Sequence, residues 1–328
     1  MTDTQALIPT RDKIRILFAH GAYDMKPIFA GISPDIETMQ VATYADLQDK
    51  LPEADVLVVS GLWKNDLLPH ATRLKYLQSV SSGTNQYDLV AFQDQGILLA
   101  SGQGVNKNAV SDHAMALMLA LTRRIASARD NQSATHWRPE QRNPADREDE
   151  TPGKTMVVVG TGHIGDRIAK LAKAFDMHVI GVRRDTAKGA GAADEVFPFT
   201  ALRDIAPRAD VLVLSCPLTD ETRGLVSADV LAAMKPTAHL INVARGPVVD
   251  EDALIAALQA GRLAGAGLDV TTVEPLPADS PLWAMPNVVL TPHSAGETQV
   301  YERNVLEILT RNLETLWAGS SALHNRIV

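Results

Sequence analysis

The sequence predicts an α/β protein built from two doubly wound parallel-sheet domains, and three observations carry that prediction. Strand-like apolar runs alternate with helical ones almost throughout the chain. The length, 328 residues, suits about two domains of roughly 150 residues each. A second series of strands opens at Thr155, where a β-branched run leads into a glycine-rich turn and a helical pattern.

In the N-terminal third, residues 14–19 (IRILFA), 56–60, 76–80 and 97–100 read as buried strands, because each is a short apolar run of strand length. Mixed polar segments between them suit short helices. Residues 108–125, with AMALMLAL at the centre, are apolar on nearly every side, which predicts a long helix buried between domains or subunits. Residues 130–153 are rich in Pro, Arg, Asn, Asp and Glu and read as an exposed connection. Strands are then expected at 155–159, 178–182, 211–215, 239–243, 265–270 and 288–291, with helices between most of them. The last helix is expected at 295–318.

Bulk properties narrow the function classes. Apolar residues make up 45% of the chain, enough for a sizeable core, and the formal net charge is −8. That acidity argues against nucleic acid as a main partner. Cys216 is the only cysteine, which rules out disulfides within the chain and leaves no second thiol for a Cys-based zinc site, so no metal is expected. The opening MTDTQALIPTRDK has no apolar core of signal-peptide length. The longest apolar run, residues 114–121, falls far short of the roughly 20 residues of a membrane-spanning helix. No membrane partner is expected, and a cytoplasmic location is.

The stretch VVVGTGHIG places Gly160, Gly162 and Gly165 in G-x-G-x-x-G spacing after a strand and before a helix. That spacing lets a strand turn tightly into a helix and brings the backbone close to a pyrophosphate. The helix N-terminus then offers N–H groups and a positive dipole end to the phosphates. A Rossmann-like dinucleotide-binding domain is therefore expected.

Three later segments each begin in a strand and end in a polar or glycine-bearing loop: NVARGPVVDEDAL, AGAGLDVTTVEPLP and PNVVLTPHSAG. Arg245, Glu274 and His293 sit just past those strand ends, where open α/β sheets bind ligands. The trio suits reduction of a 2-oxo acid. Hydride must reach the carbonyl carbon while a proton reaches the oxygen, and histidine is the usual proton donor near neutral pH. A carboxylate beside it orients the ring and stabilises the imidazolium. An arginine fork matches a substrate carboxylate at two points, as lysine cannot.

With GTGHIG, CPLTDETRGL, NVARGPVVDEDAL, GLDVTTVEPLP and TPHSAG, the chain resembles the D-isomer-specific 2-hydroxyacid dehydrogenases over nearly its full length. The spacing of Arg245, Glu274 and His293 is typical of that family. The resemblance implies that Arg245 binds and polarises the substrate, that His293 is the acid/base and that Glu274 is its partner. It matches Asp269 to the acid that meets the nicotinamide carboxamide, with His293 also counted among the coenzyme contacts. Ser82 and Gly83, in SVSSGTNQYD, match the loop whose N–H groups hold the substrate carboxylate. The coenzyme set further takes in His163 and Ile164 of the glycine motif, Cys216, Pro217 and Thr222 of CPLTDETRGL, and Val243 and Ala244 of NVARGP. The implied layout is a substrate-binding domain of residues 1–102 and 295–328 and a coenzyme domain of 103–294, with the active site in the interdomain cleft. The helix 108–125 resembles the segment that also packs a homodimer. The implied reaction turns a small 2-oxo acid such as glyoxylate or hydroxypyruvate into the D-2-hydroxy acid.

Some positions depart from the pattern or stand outside it. Ser111-Asp112-His113 stands where many members have Ala-Glu-His, which keeps the acid but shortens it. Asp176 replaces a common glycine. Trp63, in SGLWKN, is either a cleft residue that touches substrate or a packing residue. Cys216 reads as a small packing residue near the coenzyme, since no motif places a base beside it. Counted without gaps from Gly165, the acid that NAD-specific members set against the adenosine ribose is replaced by Arg183, followed by Arg184. Guanidinium cannot accept the ribose hydrogen bonds but can grip a 2′-phosphate. NADP(H) is the expected coenzyme; NAD(H) stays possible because a two-residue shift would bring Asp185 into the acidic position. Two other readings share this fold. A formate dehydrogenase-like enzyme would carry glutamine at Glu274, and a coenzyme-sensing, corepressor-like protein would keep the trio.

Overall fold

The computed structural model describes residues 6–328. They divide into two compact units. One holds the described residues up to Asn106 together with Thr298–Val328; the other is Lys107–Glu297.

In the first unit, β1 (Arg15–Ala19), α1 (Lys26–Ile32), β2 (Glu37–Val41), α2 (Tyr44–Lys50), β3 (Val56–Val59), β4 (Tyr76–Ser79), α3 (Leu89–Asp94) and β5 (Leu98–Ala100) form a five-stranded sheet in the order β2-β1-β3-β4-β5. Every pairing is parallel. Inner strands β3 and β4 are buried at every residue, as strands covered on both faces are. β2 was not among the expected strands. It is an edge strand, exposed or half-buried throughout, and ETMQV lacks the apolar run that marks an inner strand. The helix Tyr301–Trp317 seals one face: Val305, Leu309, Leu313 and Leu316 lie at helical spacing and pack with Phe18 and Phe29. Each fully buried leucine there stabilises the fold by about 1.5–3 kcal/mol. The unit runs to Asn106, past the expected boundary at 102, because Val105 joins this core and its carbonyl accepts from Asn304.

In the second unit come α4 (Lys107–Thr122), α5 (Ile125–Ser133), β6 (Thr155–Val159), α6 (His163–Ala174), β7 (His178–Val182), β8 (Glu195–Phe197), α7 (Leu202–Ile205), β9 (Val211–Leu214), α8 (Ala228–Ala233), β10 (His239–Asn242), α9 (Glu251–Gln259), β11 (Gly265–Leu268) and β12 (Val288–Leu290). Their seven strands are ordered β12-β11-β10-β9-β6-β7-β8, all parallel. From β6 the chain moves outward through β7 and β8, then returns to β9 on the other side. That reversal is the switch point at which doubly wound sheets take ligands, off the carboxyl ends of the strands. The half-buried edge strand β8 is the second strand that sequence reading missed, for the same reason as β2.

Helix α4 lies close on the sheet. Val110, Ala114, Leu117 and Met118 pack with Val158, Val213 and Ile241. A Cβ at Gly267 would come within 2.9 Å of Leu117 Cβ, so only glycine permits this approach. The long helix ends at Thr122, short of the expected 125, because Arg124 takes a left-handed φ of 51° and the chain restarts as α5. No residue of α5 is buried, which is why its last residues, from 130 on, read as connection. The shortened acid Asp112 also finds its use here. Arg167 of α6 donates to Asp112 Oδ1 at 2.5 Å and to Ser111 Oγ at 2.8 Å, tying α4 to α6. The final helix was expected from 295 and starts at Tyr301. Before it, the N–H groups of Ser294 and Ala295 bond to the Asp269 carboxylate, and residues 294–300 form turns rather than helix.

Candidate active site

The coenzyme edge is built from close backbone approaches. Gly160 follows β6 with φ 93°, and its N–H donates to Val182 O of β7 at 2.7 Å. A Cβ there would lie 2.6 Å from Cys216 Cα, and a Cβ at Gly165 would lie 2.0 Å from Gly160 O. Glycine at both places lets α6 start against the strand end. Gly162 caps α6 without contributing a side-chain oxygen, while His163 and Ile164 open the helix, so its first N–H groups suit an anion. After β9, the buried Thr222 hydroxyl donates to Pro217 O at 2.7 Å and accepts from Thr219 N–H at 2.8 Å, which shapes the turn. After β10, Val243 and Ala244 are buried, and Ala244 N–H donates to Asn242 Oδ1. These surfaces fit a dinucleotide.

Cys216 forms the floor beneath Gly160. Burial pushes its thiol up to about 11, which keeps it neutral and unreactive. Iodoacetamide at about pH 8 is therefore expected to leave the native protein unmodified and to alkylate the unfolded chain. Mass spectrometry of the two samples checks this, and rapid labelling of the native protein would overturn the packing role.

The end of β7 carries arginines where an acid could stand. Arg183 donates to Gly189 O at 3.1 Å. Arg184 Nε pairs with Glu221 Oε2 at 2.5 Å, with both side chains exposed. Asp185 instead caps the short turn Thr186–Lys188, accepting from Ala187 N–H at 3.1 Å.

At the other end of the sheet, His293 follows β12 with φ 54°. A non-glycine residue there bears about 1–2 kcal/mol of strain. Its N–H donates to Asp269 O at 2.8 Å, and Nδ1 lies 2.7 Å from Glu274 Oε2. A carboxylate only accepts, so Nδ1 carries the proton of that bond and Nε2 is left as the second ring nitrogen. Glu274 is itself oriented, since Oε1 accepts from Thr271 N–H at 3.1 Å. Side-chain exposure is 46% for His293 and 37% for Glu274, enough to reach a ligand. Arg245 is exposed after β10 and bonds to Ala244 O. A Cβ at Gly246 would fall 2.0 Å from the Thr271 carbonyl carbon and oxygen, so the Arg245 loop presses backbone to backbone against the loop leading to Glu274. A cavity of about 590 Å³ opens beside the pair, lined by His293, Glu274, Leu276, Trp283, Leu290 and Pro292 among others.

Asp269 is buried under this loop. Oδ1 accepts from Thr291 Oγ1 at 2.6 Å and from the N–H groups of Ser294 (2.9 Å) and Ala295 (3.1 Å). Oδ2 accepts from Ala295 N–H at 3.1 Å. Much of the capacity of the carboxylate expected at the nicotinamide is thus engaged in shaping the His293 loop.

In the first unit, Ser82 and Gly83 are exposed on the loop after β4. Hydroxyls brace that loop. Ser60 Oγ donates to Ser81 Oγ, Ser81 Oγ to Gly83 O, and Tyr301 hydroxyl to Val80 O. Sequence reading did not find these supports, because single serines carry no periodic signal. Trp63 is only 3% exposed; its ring packs against Tyr87 and Phe92 and Nε1 donates to Asn65, which matches the packing alternative. Among the described residues no cluster of His, Cys, Asp or Glu is arranged to hold a metal, and no helix is long and apolar enough to cross a membrane.

Residues 115–295 match the family model described as D-isomer specific 2-hydroxyacid dehydrogenase, NAD binding domain. The glyoxylate reductase of Aeropyrum pernix is 34% identical over 294 residues, covering 85% of each chain. The D-3-phosphoglycerate dehydrogenase of Methanocaldococcus jannaschii is 32% identical over 290 residues, which is 88% of this chain and 54% of that one, so the chain spans about half of that relative's length. A solved D-isomer specific 2-hydroxyacid dehydrogenase from Xanthobacter autotrophicus, in complex with NADPH and MES, superposes with a TM-score of 0.78 at 29% identity, over 95% of this chain and 98% of that one.

Proposed function

This chain belongs to the D-isomer-specific 2-hydroxyacid dehydrogenase family, and from that premise we propose that it is an NADPH-preferring reductase of a small 2-oxo acid such as glyoxylate or hydroxypyruvate. The observation that carries the reading is the 2.7 Å contact between His293 Nδ1 and Glu274, beside the Arg245 loop. When bound, the reduced nicotinamide coenzyme supplies the hydride. His293 holds a proton on Nε2 for the carbonyl oxygen, and Glu274 orients the ring and offsets its positive charge. Arg245 grips the substrate carboxylate and polarises the ketone. Ser82 and Gly83 add backbone N–H donors to that carboxylate.

In this reading the first unit binds substrate and the second holds the coenzyme. Gly160, Gly162, His163, Ile164 and Gly165 cradle the pyrophosphate. Cys216, Pro217, Thr222, Val243, Ala244 and Asp269 complete the coenzyme surface. Arg183 and Arg184 hold the 2′-phosphate, a reading supported by the capping role of Asp185. The assembly is a homodimer packed through α4.

The test is steady-state oxidation of NADPH and NADH with glyoxylate and hydroxypyruvate, with the product resolved by chiral chromatography. Turnover to a D-2-hydroxy acid, faster with NADPH, is expected. Coenzyme binding with no turnover of any 2-oxo acid would overturn the enzymatic reading in favour of a coenzyme sensor.

A further inference from the structure

His293 sits in the left-handed backbone region, uncommon for a residue with a side chain. Its N–H bonds to the Asp269 carbonyl, and the two residues after it bond to the Asp269 carboxylate. One residue therefore holds the His293 loop by both its main chain and its side chain. Thr291 joins this arrangement, its hydroxyl lying 2.6 Å from Asp269 Oδ1.

That hydroxyl has a second partner. His113 Nε2, from α4, lies 2.9 Å from Thr291 Oγ1 and 3.6 Å from Asp269 Oδ1. A threonine hydroxyl has one hydrogen to give. A carboxylate accepts only, so that hydrogen goes to Asp269, and Thr291 Oγ1 must accept from His113. Nε2 of His113 accordingly carries a proton. His113 is itself well placed to set a position. Its helix is packed on the sheet through Ala114 and Leu117, and its neighbour Asp112 is tied to Arg167.

We propose that His113 is a positioning residue for His293, acting through Thr291 and Asp269. The line runs from a rigid helix, through one imidazole N–H and one hydroxyl, to the carboxylate that shapes the loop of the proton donor. Removing the His113 donor leaves the Thr291 hydroxyl free to rotate away from Asp269, and the loop loses a restraint on the side that faces α4. The proposal rests on the reading of His293 as proton donor, but it also has a consequence that does not need turnover.

The experiment uses the full-length chain and the variants His113→Phe, His113→Asn, His113→Gln and Thr291→Val. His113→Phe keeps ring bulk and loses the donor; it is expected to lower kcat by roughly 10- to 100-fold, the scale of a small displacement of a reacting group. The dissociation constant for NADPH, read from nicotinamide fluorescence, is expected to stay unchanged. His113→Gln can place its amide nitrogen where Nε2 stood and is expected to restore most of the rate. His113→Asn places its amide nearer the Nδ1 position and is expected to behave like the Phe variant. Thr291→Val is expected to lose as much as His113→Phe, and the double variant no more than either, because both break the same link. Independently of activity, NMR of 15N-labelled histidines is expected to show His113 protonated at Nε2, with the His293 ring signals shifted in His113→Phe. A wild-type kcat in both the Phe and Asn variants, or losses that multiply in the double variant, would overturn the proposal. So would His293 signals that ignore position 113. Absence of turnover in the wild type would instead strike the proposed function, while the NMR result would still decide the positioning role.

Discussion

Replacing His293 with alanine is expected to lower kcat for 2-oxo acid reduction by roughly 10²–10⁴-fold, the usual contribution of a positioned general acid. The loss falls on kcat more than on KM, because Arg245 and the Ser82–Gly83 loop are the proposed holders of the substrate carboxylate. Glu274→Gln completes the test. The amide preserves the shape of the contact at His293 Nδ1 but removes the anion. Without the anion the ring loses the partner that orients it and offsets its charge, and kcat is expected to fall, by less than in His293→Ala. Steady-state rates with saturating NADPH check both outcomes. An undiminished kcat in His293→Ala would remove the proton-donor assignment.

The second large effect concerns coenzyme choice. Arg183→Ala is expected to reduce kcat/KM for NADPH by roughly 10- to 100-fold, since a hydrogen bond to a charged group contributes about 1.5–3 kcal/mol. The value for NADH is expected to stay nearly constant, because the ribose hydroxyl gains nothing from a guanidinium. Arg184→Ala is expected to cost less, as its Nε is already paired with Glu221. Parallel assays with both coenzymes give the ratio. Equal efficiency of NADH and NADPH in the wild type, or a ratio that ignores Arg183, would reverse the assignment.

The inner strands of both sheets could be read from the chain because each is buried on two faces and so carries an unbroken apolar run; β3 and β9 are the plainest cases. The edge strands β2 and β8 could not, because half-buried residues such as Thr38 and Glu195 give no such run. The break between α4 and α5 depends on a left-handed Arg124, a residue type with no preference for that conformation. The positions of Arg245, Glu274 and His293 were legible because each follows a strand end. Their supports were not. His113 and Thr291 meet across 178 residues of chain, and nothing local in either segment announces the contact. Trp63 shows the opposite case, an aromatic residue in a loop-like sequence whose ring the fold turns inward.

The contact between Gly246 and the Thr271 main chain acts as a gauge. The gap between the turn bearing Arg245 and the turn leading to Glu274 is set by peptide groups touching one another, while the Thr271 hydroxyl, donating to Val273 O, braces the second turn. A single methyl group at position 246 would drive the cation and the anion apart. In the proposed reading, substrate preference is open to redesign at Leu276 and Trp283, which line the cavity beside His293 and Glu274.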